Sequence, residues 1–347
     1  MSEQASDWSI GGFFGLHLAR AETENSIWRS WTKNAGSVHA LRNGRSALRH
    51  YLRVRSPRRI WLPAYGCRSL MEGCEGTGVD CMFYPIAETL DPDRNVLRHH
   101  LRGGDAVLVI DYFGRPPSHE FVSWARTVED VDWIEDCAQA LAPQADADQD
   151  WADHRLFSPR KLLGVIDGGL LVSRQALPAP SYADALPHGL AEPAVLRLED
   201  PYARHSDVIY AHYAAVEAAM TVGDLPITRL SRAILETTEI APLIEARQRN
   251  VAVLSDLLAA VGLIVLKAPA YAPFGYPIRV SRRYHVSDAL RSQKIFVPVH
   301  WREILADGDE FPFELALSRQ LLTLPCDHRY TVEDMRRLAT AVLEVLE

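Results

Sequence analysis

Long hydrophobic runs, paired cysteines, positive net charge and lysine are all scarce in this chain of 347 residues, and each shortage excludes something. No apolar stretch reaches the roughly 20 residues of a membrane-spanning helix, so no membrane is expected as a partner. The N-terminus, MSEQASDWSIGGFFGLHL, has no basic start followed by an apolar run, so a signal peptide is not expected and the cytoplasm is. Five cysteines (Cys67, Cys74, Cys81, Cys137 and Cys326) are odd in number and contain no CxxC pair, which fits buried thiols of a reducing compartment better than a disulfide framework. No Cys/His cluster has ligand spacing, so no metal site is expected. A net charge of -8 argues against a nucleic-acid surface, which needs clustered positive charge. Lysine occurs only at Lys33, Lys161, Lys267 and Lys294, while 33 of the 37 basic residues are arginine. Phosphate and carboxylate groups would therefore meet forked guanidinium donors, although a GC-rich genome explains the same bias equally well.

What is present describes a globular chain. Apolar residues make up 48% and charged ones 24%, and the length suits one large domain with a smaller one behind it. Residues 1–35 are irregular and aromatic-rich, with Gly11-Gly12-Phe13-Phe14 and three tryptophans, and read as a segment that packs across another surface. Asn43-Gly44 reads as a turn, and Arg45-Ser46-Ala47-Leu48 opens an amphipathic helix whose free N–H groups make an anion site. Ile60-Trp61-Leu62 is a strand, residues 68–75 a helix and Cys81 to Tyr84 another strand. DAVLVIDYFG supplies a wholly apolar strand with Asp111, Tyr112 and Gly114 at its C-terminal end, where open α/β sheets place ligands. HEFVSWARTVED reads as helix and VDWIEDCAQAL as strand. Ala176 to Arg204, rich in Pro and Ala, reads as a crossing segment. Residues 206–260 are largely helical; LIVL, YPIRV and IFVPVHW read as strands, HVSDALRSQ as a helix, and YTVEDMRRLATAVLEVL as a capped terminal helix. Alternating strands and helices imply an α/β fold with a mostly parallel sheet, divided into a large domain, 1–215, and a small one, 216–347.

One stretch, VDWIEDCAQALAPQADADQDWADHRLFSPRKLLGVIDGGLLVS, carries the chemistry. It joins a strand ending in Glu135 and Asp136 to a second strand opened by Gly168-Gly169, with Lys161 between them. A strand-end carboxylate and a loop lysine are what pyridoxal 5'-phosphate (PLP) chemistry needs: the lysine forms a Schiff base and the acid keeps the pyridine nitrogen protonated. Taken alone, the pair reads more readily as an ordinary helix N-cap beside a solvated lysine.

Six collinear segments resemble the DegT/DnrJ/EryC1/StrS (sugar) aminotransferases of PLP fold type I. NGRSAL is similar to that family's NGTxAL, WLPAYGC to VPAYTF, IEDCAQAL to IEDAAQAL, and FSPRKLLGVIDGGLLVS to SFxPTKNLGxxGDGGxxVT. VPVHW and LSRQLLTLPCDHRYTVEDM resemble its C-terminal signature. The resemblance implies that Lys161 carries PLP and shuttles protons, and that Asp136 pairs with the pyridinium nitrogen. It implies that Gln139, one helical turn onward, contacts the ring hydroxyl, and that the backbone at Arg45 and Ser46 holds the phosphate. The implied reaction is ping-pong transfer of an amino group, commonly from L-glutamate, to a keto group of a nucleotide-linked sugar. A homodimer with shared active sites is implied too.

The chain also departs from that pattern. Cys67 stands where the family stacks an aromatic ring on PLP, leaving Tyr65 or Tyr112 for that role, or a ring covered differently. Leu156 stands at the phosphate serine, with Ser158 the nearest hydroxyl. The NYR asparagine has no match, and Arg45 is the charged replacement. Asp111 replaces the histidine of HxYG. His300 and Tyr112 are the candidate substrate contacts. Two alternatives stay open: another PLP reaction such as dehydration, against which Lys161 speaks because the dehydrating relatives carry histidine there, and a catalytically silent regulatory relative.

Overall fold

The computed structural model describes residues 10–12, 23–142, 151–183, 189–261 and 271–346. Phe13, Phe14 and the LIVL segment, 263–266, lie outside the described residues. A two-residue strand, β1 (Ile10–Gly11), precedes the strands of the main sheet: β2 (Ser37–Leu41), β3 (Arg59–Pro63), β4 (Asp80–Tyr84), β5 (Ala106–Ile110), β6 (Asp132–Asp136), β7 (His154–Phe157) and β8 (Gly169–Ser173). They form a seven-stranded sheet in the order β2-β8-β7-β6-β5-β3-β4. The neighbours from β7 to β4 are parallel, and β8 runs antiparallel to both β7 and β2. All five residues of β5 are buried, as a strand covered on both faces must be. The parallel strands and β2 therefore end on one edge, where β8 begins.

Helices α1 (Ile27–Thr32), α2 (Gly44–Arg55), α3 (Arg68–Cys74), α4 (Arg94–His100) and α5 (His119–Ala125) alternate with the strands. Helix α2 starts at Asn43 because that side chain accepts from Ser46 N, and it buries Ala47, Leu48, Tyr51 and Leu52 at helical spacing. These residues join Ile60, Val107 and Ile134 in one core, while Trp31, Phe157, Leu170 and Leu235 form a second around the β8 end of the sheet. Further on come α6 (Glu192–Glu199), α7 (Ser206–Ala219), α8 (Arg229–Thr237) and α9 (Ala241–Leu257), then β9 (Gly275–Arg279), α10 (Arg283–Ser292), β10 (Ile295–Phe296), α11 (Pro312–Gln320), β11 (Leu321–Pro325) and α12 (Val332–Leu346). Strand β11 pairs antiparallel with β9, and β1 pairs parallel with β10. A third core gathers Ile10, Val251, Leu290, Ile295, Leu324 and Met335.

The structure corrects several readings of the sequence. Asn43 is a helix cap rather than part of a free turn. The 176–204 segment contains α6, started by Pro193 in its first turn. Of IFVPVHW only Ile295–Phe296 is strand, and the remainder is irregular. Strand β6 stops at Asp136, and the residues after it turn back, with Ala140 N bonded to Cys137 O; Gln139 is on a turn, not a helix. Strands β2 and β7 and helix α1 were not read from the sequence. Both strands are short and neither is a continuous apolar run; β7 is held between β6 and β8, and β2 closes the sheet edge against β8.

Candidate active site

A cavity of about 800 Å³ opens where the C-terminal edge of the sheet meets α7, α10 and β10. It contains Asp136 from the end of β6, Ser158, Arg160 and Lys161 from the loop after β7, and Gly44 and Arg45 from the start of α2. This is the crevice at which open α/β sheets bind ligands. Lys161 is the one cavity-lining lysine among the described residues, and its ammonium has no hydrogen-bond partner among them. Asp136 is 9% exposed and its Oδ1 accepts from Ala138 N at 2.9 Å. Burial raises its carboxyl above the usual range, against the opposing pull of the Lys161 ammonium and the Ala138 N–H. Lys161 also acts on His300: burial first, then the ammonium, push that imidazole down to about 3, so it is neutral near pH 7. His300 lines the cavity and its Nδ1 is 2.9 Å from Thr323 Oγ1.

The α2 end of the cavity is built by close backbone approach. A Cβ on Gly169 would sit 2.0 Å from the carbonyl carbon of Asn43, so only glycine lets β8 pass this helix start. Ser158 Oγ lies 4.0 Å from the Cβ position of Gly44, which sets its hydroxyl beside the α2 N-terminus. Leu156 lines the cavity as well. Ser46 does not line it; its hydroxyl donates to Asn43 Oδ1 at 2.9 Å and accepts from Gly223 N at 3.1 Å. Arg45 lines it, with Nη1 on Glu72 at 2.5 Å and Nη2 on Met220 O at 2.9 Å.

Other expected residues lie in or behind the wall. Cys67 caps α3 and faces the cavity, its thiol 3.3 Å from Ser69 Oγ. Tyr65 and Tyr112 are outside the lining and buried. Their rings stack at 5.8 Å, Tyr65 donates to His300 O, and Tyr112 donates to Tyr65 O. Gln139 is also buried outside the lining: Oε1 accepts from Phe113 N at 2.7 Å, while Nε2 has no partner among the described residues. The sequence reading missed Arg160 and Glu217, which meet in the cavity wall. Arg160, adjacent to Lys161, was open to notice; Glu217, 57 residues away, carried no signal.

No protein-family model and no curated protein matches the chain. Solved structures do. DesV of S. venezuelae, determined with a ketimine intermediate, is similar with a TM-score of 0.69 at 17% identity, over 95% of this chain and 90% of that one. A DegT DnrJ EryC1 StrS aminotransferase from Brucella abortus gives 0.64 at 16%, over 92% and 88%. DesI, determined in the presence of its TDP-sugar product, gives 0.67 at 14%, over 93% and 84%. At these identities the likeness is one of fold, shared along most of the chain with these solved structures.

Proposed function

We propose that the protein is a PLP-dependent aminotransferase that passes an amino group, with L-glutamate as the first donor to test, to the keto group of a nucleotide-linked sugar. The observation that carries this reading is the shared cavity of Lys161 and Asp136, close enough for the lysine's charge to bear on the carboxylate. The cavity residues fit the cofactor. A buried carboxylate without a direct ion pair among the described residues suits a pyridinium N–H, and a lysine without a hydrogen-bond partner among them suits an aldehyde. The Ser158 hydroxyl beside the α2 N-terminus suits a phosphate.

PLP, when bound, supplies an electron sink for the charge left when a proton leaves the substrate carbon. The protein's own groups do the remainder. Asp136 would hold the ring nitrogen protonated, and Lys161 Nζ would take and return the proton. His300, neutral and fixed on Thr323, lines the site without repelling the Lys161 ammonium. Gln139 Nε2 is a buried donor with no partner among the described residues. Arg197, Arg291 and Arg302 line the cavity from three different segments, which supports an acceptor bearing phosphate groups. That DesI was solved with a TDP-sugar product supports the same acceptor class.

We further read the enzyme as a cytoplasmic homodimer. Among the described residues no helix is long and apolar enough to cross a membrane. Val195, Leu198, Tyr202, Val208 and Tyr210 leave apolar area exposed on and between α6 and α7, next to the cavity, as a subunit contact would.

The test is a half-reaction. Purified protein is expected to show visible absorption from bound cofactor, lost in Lys161→Ala, and L-glutamate is expected to convert that cofactor to pyridoxamine phosphate. A cofactor that no amino acid converts would leave a PLP-binding protein that is no transaminase.

A further inference from the structure

Two arginines of the cavity wall share one carboxylate. Glu217, on α7, accepts from Arg160 Nη2 and lies 3.5 Å from Arg45 Nη2. The side chains of Arg160 and Arg45 are 13% and 15% exposed, whereas that of Glu217 is 42% exposed. Arg160 also lays its guanidinium over the Tyr213 ring, 5.4 Å from the centroid, and sends Nη1 to Met220 Sδ at 3.4 Å. Tyr213, Arg45, Arg160 and Glu217 all line the cavity. Along the chain, Arg160 sits between Ser158 and Lys161, and Arg45 follows Gly44, the residue beside Ser158 Oγ. Two guanidinium groups, a hydroxyl and a helix N-terminus thus share one part of the cavity.

A nearly buried guanidinium needs an opposite charge close by. Here that charge comes from a carboxylate with open solvent beside it, on a helix whose buried residue is Ile209. A phosphate dianion presents the same forked acceptor geometry with more charge, so it is the stronger partner for Arg160. Glu217 has room to turn into solvent when that partner arrives.

We propose that Arg160 is a ligand for the phosphate of a phosphorylated cofactor, and that Glu217 is a resident counter-ion which the phosphate displaces. The proposal rests on the PLP reading above and deepens it, assigning to the residue beside Lys161 the choice of PLP over unphosphorylated pyridoxal.

Equilibrium dialysis of the full-length protein, stripped of cofactor, against PLP and against pyridoxal tests it in the wild type, Arg160→Thr and Glu217→Gln. Arg160→Thr is expected to weaken PLP by about 10–100-fold, the range for a lost charge-assisted bond, with pyridoxal changed by less than about threefold. Glu217→Gln, which removes the competing anion, is expected to tighten PLP several-fold and leave pyridoxal unchanged. Equal loss of both ligands in Arg160→Thr, or no loss, overturns the role of Arg160 as a phosphate ligand. Weaker or unchanged PLP binding in Glu217→Gln overturns displacement, and decides the matter alone if Arg160→Thr does not fold. A wild type that binds neither PLP nor pyridoxal instead defeats the PLP reading itself, an outcome separate from wild-type binding without phosphate selectivity.

Discussion

Glu135 and Asp136 are neighbours in sequence with opposite assignments in space. Successive residues of a strand point to opposite faces, so Asp136 meets the cavity while Glu135 accepts from Arg155 Nε at 2.7 Å and from Trp151 Nε1 at 3.2 Å. Behind the site, Asp111 is 1% exposed, its Oδ1 has no partner among the described residues, and it shares a small space with Glu135 and Cys137. Burial above all, with the Glu135 and Asp136 charges added, raises the Asp111 carboxyl well above its ordinary range. The folded protein thus keeps a proton that the unfolded chain releases near the ordinary Asp value of about 3.9. Stability must therefore fall as pH rises from there toward the folded-state value, by up to about 1.4 kcal/mol per pH unit. Asp111→Asn has no proton to lose. Urea melts at pH 5 and pH 8 are expected to show the variant gaining at least about 1 kcal/mol on the wild type between the two; a pH-independent difference would rule out a neutral Asp111. That Asp111 ends an apolar strand was legible in the sequence. Its charge state was not, because that depends on two carboxylates brought in by a neighbouring strand.

At the scale of elements, the junction of β8 with α2 decides whether an anion site exists. Asn43 fixes where the helix begins, and the side chain also donates from Nδ2 to Thr221 O at 3.0 Å, tying the helix start to the segment after α7. Gly169 lets β8 run against that start, and an added methyl would meet backbone, which cannot turn aside as a flexible side chain can. Gly169→Ala is expected to lose about 1–3 kcal/mol, measured by urea denaturation, and to weaken phosphorylated ligands by separating the α2 start from Ser158. Unchanged stability together with unchanged affinity would mean that the junction yields freely. The glycine pair and the asparagine were visible in the sequence as turn and strand signals. Their contact was not, since 125 residues separate Asn43 from Gly168 in a bridge that only the β2–β8 pairing creates.

For the whole molecule, the N-terminal segment is where chain order and spatial order part. Ile10 is 1% exposed within the third core, and β1 pairs with β10, far along the chain. Gly11 runs so close to Phe296 that a Cβ would come within 1.8 Å of its carbonyl oxygen, and Tyr330 Oη accepts from Gly11 N at 2.6 Å. Gly11 and Gly12 line the cavity, so this strand forms part of its wall. We read it as belonging with the C-terminal unit, although it lies 205 residues before the boundary expected at 215–216. Tyr330→Phe removes the acceptor and is expected to lower the local stability of β1 by about 1 kcal/mol. Hydrogen exchange would show this as faster exchange at Ile10 and Gly11 with the seven-stranded sheet unaffected; protection unchanged at both residues would detach Tyr330 from the role.

The sequence alone determined the alternating α/β architecture, the apolar central strands, the capped terminal helix and the pairing of a strand-end acid with a rare lysine. All of these follow from local patterns: burial on both faces of a strand, helical spacing and capping chemistry. Thr331 shows the rule, its Oγ1 accepting from Asp334 N at 3.3 Å just where the pattern called for a cap. Only the tertiary structure decided that Gln139 sits on a turn and that Tyr65 and Tyr112 lie behind the cavity wall. It also decided that Arg160 meets Glu217, and that β1 pairs with β10 far along the chain. Those outcomes depend on long-range pairings whose partners carry no periodic signal. A side chain's chemistry is written in its residue type, but its partner and its exposure are set by what the rest of the fold brings to it.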